Sequence, residues 1–257
     1  MSGALTLTPL RGIPQVVPGD DLCAVILSAL GETGETLQDG DILVVAQKIV
    51  SKAEGRIVDL KGVTPGPAAR ELAGVTGKDA RLVELILSES RSVIRAKPGV
   101  IITEHRRGWI MANAGIDASN VAPEEGAENV LLLPLDPDLS AGALRDALIA
   151  RSGARPGVII SDSFGRPWRL GTTGVALGAA GVVSLWDRRG DRDMFGRVLE
   201  VTQMAVADEL ATAASLVQGQ ADEGLPVVLV RGCDYATRVP ARPASDLIRD
   251  VSEDMFR

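Results

Sequence analysis

The sequence predicts a mixed α+β fold, with an α/β arrangement as the neighbouring alternative. Three observations predict it. Strand-like apolar runs alternate with helix-like amphipathic segments along the chain, residues 92–113 read as two or three antiparallel strands, and no internal repeat or low-complexity linker divides the 257 residues. A chain of this length can bury a core as one large domain or two small lobes. One domain over residues 1–257 is the expected organisation, with antiparallel sheets and flanking helices. The topology does not follow from the pattern.

Residues Leu5 to Thr8 alternate apolar and polar, as a short strand does, and Gly12-Ile13-Pro14 breaks the run. Asp20 or Asp21 caps a helix that carries Leu22, Val25, Ile26, Ala29 and Leu30 on one stripe, and Gly31 and Gly34 end it. Asp41 to Ala46 is a buried strand after an Asp39-Gly40 turn. Pro65-Gly66-Pro67 precedes a helix over Ala68 to Leu72, which starts near a proline, and Lys78 to Ser90 continues as an amphipathic helix through Leu82, Leu85, Ile86 and Leu87. In the antiparallel stretch, Pro98-Gly99 and Arg107-Gly108 are the turns. Glu128 to Leu135 is a buried strand, and Ser140 to Arg151 is a helix with Leu144, Ala147, Leu148 and Ile149 inward and Gly153 as its stop. Val158 to Ile160 is a short apolar strand, and the glycine-rich stretch from Gly171 to Leu185 reads as strands packed closely on a neighbour. Leu199 to Val217 is expected to be the longest helix, Val227 to Val230 a central strand, and Ala244 to Met255 a C-terminal helix.

Composition excludes several functions. The apolar run Val130 to Leu133 falls far short of the ~20 residues of a membrane span. Met1 to Ala4 has no basic region leading into an apolar one, so no signal peptide is expected. Cys23 and Cys233 lie far apart, which disfavours a disulfide framework and suits a reducing cytoplasm. His105 is the single histidine, which excludes a multi-histidine metal site, and its neighbours Arg106 and Arg107 place it in a solvated loop. A net charge of -7 argues against nucleic acid as a partner. Arginines number 22 and lysines five, so a lysine among other polar groups in a motif gains interest, whereas Lys61, Lys78 and Lys97 read as solvated.

The familiar nucleotide and hydrolase motifs are absent. No segment matches the P-loop, the glycines from Gly171 to Gly178 have the wrong spacing for a dinucleotide fingerprint, and no nucleophile elbow occurs. Three other segments are chemically dense. Asn113 to Asn120 packs two Asn, an Asp and a Ser into one turn after a strand, which suits a hard cation and a phosphate as well as it suits an Asx-rich turn bonding its own backbone. The spacing does not choose between the two. In Ile159 to Arg169, a buried strand ends in Asp162 and Ser163 and enters a loop bearing Arg166, Trp168 and Arg169. An acid and a hydroxyl at a strand end suit Mg²⁺ or Mn²⁺ beside phosphates, and Arg suits acidic groups, so the functional reading is preferred to a turn with solvated arginines. In Gln47 to Arg56, two Lys, a Ser and an Arg leave a buried strand. Their ammonium groups suit a triphosphate, although a solvated strand exit is the safer reading of that segment alone.

These segments, in this order, resemble the coenzyme F-420-0:gamma-glutamyl ligase family. The resemblance rests on Gly12-Ile13-Pro14, Pro18 to Leu22, Val50-Ser51-Lys52-Ala53-Glu54-Gly55-Arg56, Ala114 to Val121, Leu133 to Asp138, Ile160 to Arg166, Ala205 to Glu209 and Val230-Arg231-Gly232, which cover nearly the whole chain. It implies a GTP-dependent ligase that activates a carboxylate of coenzyme F-420-0 as an acyl phosphate and joins L-glutamate through a gamma linkage. It also implies an interlocked homodimer and a stand-alone ligase without the C-terminal flavin reductase domain of some relatives. By the same resemblance, Asp117 and Asp162 bind a divalent metal (Mg²⁺ or Mn²⁺), Ser163 and Gln220 stand at a second, and K⁺ is a further candidate ion. Ile13, Pro14, Gln15, Val16, Gln47, Lys52, Asn120 and Gly219 face the nucleotide, and Asp117, Asp162 and Lys52 carry catalysis. Relatives commonly have Thr at Ser163, some have an acid at Gln220, and a small hydroxyl residue is expected at Gln47. The competing readings are a ligase or phosphotransferase acting on another acidic substrate, and a non-catalytic nucleotide-binding dimer.

Overall fold

Apolar runs scattered along the chain come together in one sheet, and the polar segments between them carry the helices that cover it. The computed structural model describes residues 4–119, 127–233, 236–237 and 240–255. The chain opens with β1 (Thr6–Pro9), α1 (Leu22–Thr33), β2 (Ile42–Ala46) and α2 (Gln47–Ala53). It continues through β3 (Ile57–Asp59), α3 (Pro67–Thr76), α4 (Ala80–Ser88), β4 (Ser90–Lys97), β5 (Val100–His105) and β6 (Ile110–Ala112). After β7 (Asn129–Leu131) come α5 (Pro137–Ser152), β8 (Gly157–Gly165), β9 (Thr172–Ala180), β10 (Trp186–Asp187), β11 (Gln203–Met204), α6 (Val206–Gln218) and β12 (Val227–Arg231). The expected α+β class is what these elements form.

The main sheet has the order β1-β12-β2-β8-β9. Its pairs are antiparallel except β2 with β8, where Ile42 to Ala46 run alongside Gly157 to Ser161. Alternation sorts its side chains onto two faces. Leu43, Val45, Val158, Ile160, Val227 and Leu229 pack against α1 and α5, while Ile42, Val44, Ile159, Val228 and Val230 pack against α6. Both faces are covered, which is why these strands read as continuous apolar runs. A third core, with Ala69, Val83, Ile86, Ile101 and Val130, lies beneath α3 and α4. There β4, β5 and β6 form the antiparallel meander expected from the turns. No helix among the described residues is long and apolar enough to cross a membrane.

The glycine-rich strand β9 threads between two helices. A Cβ on Gly174 would lie 2.2 Å from the Ala211 carbonyl oxygen of α6, and one on Gly178 would lie 2.1 Å from the Pro137 carbonyl oxygen of α5. Between them, Ile160 pairs with Gly178 but Ser161 with Ala176, so Leu177 is the extra residue of a β-bulge. The bulge switches which face the β9 side chains present.

Four expectations are corrected. The stretch from Leu199 is not helical at first. Its backbone pairs back on residues 188–191 (Leu199 N–H to the Asp191 oxygen, 2.8 Å) and leads into the β10–β11 ladder, so α6 begins only at Val206 and α5, with 16 residues, is longer. The C-terminal segment makes two 3-10 turns, Ala244–Leu247 and Val251–Glu253, instead of a helix. Asp138 takes the first N–H groups of one turn and Asp250 caps the other, so no continuous helical ladder forms. Asp162 is not at a strand end, because β8 runs on to Gly165 and pairs with β9. His105 is buried, 5.0 Å from the Trp109 ring, because β5 carries it into the interior.

Candidate active site

The strand β2 passes into α2 without a loop, so the polar residues after Ala46 are wound into a helix rather than left as a solvated exit. Helical spacing puts Lys48 and Lys52 one turn apart on the same side. It also brings Ser51 back on Gln47, whose side-chain oxygen accepts the Ser51 hydroxyl at 2.8 Å. The parallel neighbour β8 ends its shared register with Ser161 opposite Ala46, which sets Asp162 and Ser163 beside the start of α2. At the exit of α6, Gly219 takes φ 75° and ψ −178°, a conformation that belongs to glycine. A Cβ there would meet the Glu223 carboxylate at 2.1 Å.

These elements enclose a cleft of about 400 Å³. Its walls include Ile13, Pro14, Gln15 and Val16 after β1, Gln47, Lys48 and Lys52 of α2, Asp162 and Ser163 of β8, and residues 218–226 after α6. Asp117 comes in from the side. Its backbone bridges Leu131, with N–H to oxygen contacts of 3.1 and 2.8 Å. Its carboxylate meets the Lys48 ammonium at 2.7 Å and accepts the Ser119 hydroxyl at 2.6 Å. The Ser163 hydroxyl donates to the Gln220 side-chain oxygen at 2.7 Å.

The electrostatics are uneven across the cleft. Burial pushes the Asp162 carboxyl up to about 6, against opposing contributions from the Ser163 N–H, Lys48 and the Gln47 side chain. Burial also acts to raise Asp117, but the hydrogen bonds from Lys48 and Ser119 outweigh it and leave that carboxyl below its ordinary value. Lys52 is held below the ordinary lysine value, first by burial and then by Lys48. A buried carboxyl that ionises with difficulty is a group that gains from a nearby cation.

The donors here are two carboxylates, a hydroxyl and an amide oxygen. Among the described residues there is no cluster of three or more His, Cys, Asp or Glu side chains suited to a metal. Such a set does not make an all-protein cage. It fits a hard cation that keeps water molecules and shares one or two carboxylates with substrate phosphates, as Mg²⁺ does.

The residues expected from the sequence are largely brought together. Ile13, Pro14, Gln15, Val16, Gln47, Lys52, Asp162, Ser163, Gly219 and Gln220 line one cleft, and Asp117 reaches it through Lys48. Asn120 lies outside the described residues. Arg166, Trp168 and Arg169 are not part of the cleft wall. Trp168 has φ 57° and is 81% exposed, so it does not pack on the core either. Two features were missed. Lys48 as the partner of Asp117 had no signal beyond its helical spacing from Lys52. Gln218, which donates to the Pro226 oxygen at 3.2 Å and shapes the α6 exit, had none.

A family model described as F-420-0:gamma-glutamyl ligase matches residues 12–232. The chain belongs to the F-420-0:gamma-glutamyl ligase family. The matched span includes every residue named above in the cleft wall, from Ile13 to Pro226. Relatives agree along nearly the full length. The chain is 49% identical over 253 residues to the coenzyme F-420:L-glutamate ligase of Methanothermobacter thermautotrophicus, covering 98% of this chain and 99% of the relative. It is 47% identical over 260 residues to that of Methanopyrus kandleri, covering 99% and 100%. With that of Methanocaldococcus jannaschii it shares 44% over 223 residues, 86% of each chain.

Proposed function

We propose that this member of the ligase family adds L-glutamate through a gamma linkage to coenzyme F-420-0 at the expense of GTP. The observation that carries the reading is that Asp162, Lys48 and Lys52 line one cleft and Asp117 is tied to it through Lys48, in a chain 49% identical to a named L-glutamate ligase. The reaction brings a carboxylate oxygen to the γ-phosphorus of GTP, where two anions meet. The O–P bond that forms gives an acyl phosphate, and the bond to the bridging oxygen breaks to release GDP. The glutamate amine then attacks the acyl carbon, loses a proton and expels inorganic phosphate.

The residues divide this work. Lys52 neutralises phosphate charge from α2, while the loop Ile13 to Val16 and Gly219 border the nucleotide. Asp117, Asp162, Ser163 and Gln220 are the groups that would hold Mg²⁺ or Mn²⁺. When bound, that cation would supply charge neutralisation for the incoming carboxylate and the phosphates. No side-chain nucleophile is needed, which suits a chain whose single histidine is buried against Trp109. A homodimer belongs to the same reading, and no described residue is assigned to K⁺.

Incubation with coenzyme F-420-0, L-glutamate, GTP and Mg²⁺ or Mn²⁺, followed by mass analysis, tests the reading. A glutamylated product, with one GDP and one phosphate released per bond, is expected. GTP turnover without that product would instead favour a ligase or phosphotransferase acting on a different acid.

A further inference from the structure

Lys48 sits at the junction of the site in a way the reaction scheme above does not use. Its ammonium is 2.7 Å from the Asp117 carboxylate and 2.6 Å from the Ser119 hydroxyl, and the Ser119 carbonyl is a longer contact at 3.4 Å. Its charge also acts on Asp162 and Lys52. The same side chain lines the cleft and is itself partly exposed, so it is not locked in the interior. An ammonium and a divalent cation compete for the same carboxylate oxygens, because both satisfy the same lone pairs and repel each other at close range.

We propose that Lys48 is the resident counter-ion of the metal site: it holds Asp117 in the metal-free protein and releases it when a divalent cation arrives. The exchange has two consequences. Asp117 stays correctly placed between turnovers, because its hydrogen bonds with Lys48 and Ser119 fix the short segment 117–119. Once displaced, the ammonium remains on the wall of the cleft as positive charge available to phosphate oxygens, one helical turn from Lys52. Cation affinity in the absence of nucleotide is therefore kept low by the protein's own lysine, and phosphate oxygens offset that penalty by accepting both charges. The proposal rests on the metal-dependent reading given above.

Mn²⁺ titration of the purified protein without nucleotide, followed by calorimetry or by the loss of the free Mn²⁺ paramagnetic signal, separates the two. Lys48→Met is expected to tighten Mn²⁺ binding roughly 3- to 10-fold through removal of one competing charge, while lowering kcat for glutamate addition. Lys48→Gln carries the same expectation should Lys48→Met fail to fold. In an Asp117→Asn background the Lys48 substitution should no longer change Mn²⁺ affinity. Mn²⁺ binding that is present in the parent, depends on Asp162, and is unchanged or weaker in both Lys48 variants would overturn the exchange and leave the ligase reading standing, with Lys48 reduced to a tether for the 117–119 segment. A parent that binds no Mn²⁺ even with GTP would remove the metal reading and the exchange together.

Discussion

At the scale of single residues, the two aspartates have opposite surroundings, and that difference is measurable. Asp162 is held up to about 6 by burial, whereas Asp117 is held low by Lys48 and Ser119. A carboxyl raised on folding stabilises the protein while protonated, below its unfolded value of 3.8, and that contribution is lost as pH rises through about 6. At pH 7–8 the ionised Asp162 therefore costs the metal-free protein stability. Asp162→Asn should raise the unfolding free energy at pH 8, in chelator, by about 1–3 kcal/mol, the lower end reflecting screening by solvent. The gain over the parent should disappear below pH 4, and denaturant melts across that range will show whether it does. The same variant should abolish ligation, as should Asp117→Asn. Lys52 gives a second residue-level expectation: Lys52→Ala should weaken GTP binding more than glutamate binding, and equal GTP affinity in variant and parent would make Lys52 a structural side chain. Asp162 stood out because an acid and a hydroxyl follow an apolar run in the sequence, whereas for Asp117 local spacing left an Asx-rich turn equally open and only the family resemblance singled it out. The Lys48 contact was not, since it joins residues 69 positions apart and local spacing carries no trace of it.

At the scale of elements, legibility followed local punctuation. The hairpins β4–β5–β6 were readable because Pro98-Gly99 and Arg107-Gly108 mark their turns, with Gly99 and Gly108 both at positive φ. Helix α1 was readable from its two candidate caps, of which Asp21 is the one used, and from Gly34 as its stop. Helix α5 was readable from its apolar stripe and Gly153, although it starts at Pro137, three residues before the expected Ser140, with Asp136 as a cap the sequence reading did not name. The failures were elements whose partners are distant in sequence. The turns after Ala244 depend on Asp138, and residues 199–204 are strand-like because 186–191 pair with them. The glycines of β9 were correctly read as close packing, but which neighbours required them could not be known. Gly178 abuts the α5 backbone and Gly174 the α6 backbone, and neither main chain can yield as a side chain does. Gly178→Val should therefore cost about 1–3 kcal/mol or more from overpacking alone. Chemical denaturation of the variant will measure it, and a change below 0.5 kcal/mol, the size of an ordinary surface substitution, would show that β9 can move away from α5.

For the whole molecule, the exposed apolar residues point to association. Trp168, Leu170, Met194, Phe195 and Val201 are all more than four-fifths exposed. They belong to the β8–β9 turn and the segment between β10 and β11. A chain with only seven aromatic residues spends three of them in this list or beside it (Trp186 lies under Arg188 at 4.5 Å). Such a concentration of apolar side chains on projecting segments is a feature of interfaces. A homodimer in solution is expected, and Met194→Asp combined with Phe195→Asp should shift light scattering toward the monomeric mass while lowering activity. A parent that is fully active at the monomeric mass at micromolar concentration would refute the expectation. Of the fold as a whole, the class was legible from alternation, but the strand order was not: nothing local tells the last strand to enter between the first two.

That strand order governs how the chain comes to be folded. β12 lies between β1 and β2, and the Thr6 hydroxyl reaches the Arg231 carbonyl across 225 positions of sequence. Arg231 then closes on Asp41 at 2.8 Å and on Glu35 at 2.9 Å. The first strand has no partner in the sheet until β12 has been synthesised, so an emerging chain carries β1 and one edge of β2 unpaired until residues 227–231 have been made. Contacts of this length place assembly among the slow, topology-limited reactions. Unpaired edges held open that long invite association with other chains. The cleft wall from Gln218 to Pro226 immediately precedes β12, which makes the candidate active-site cleft one of the last parts of the described fold to be completed.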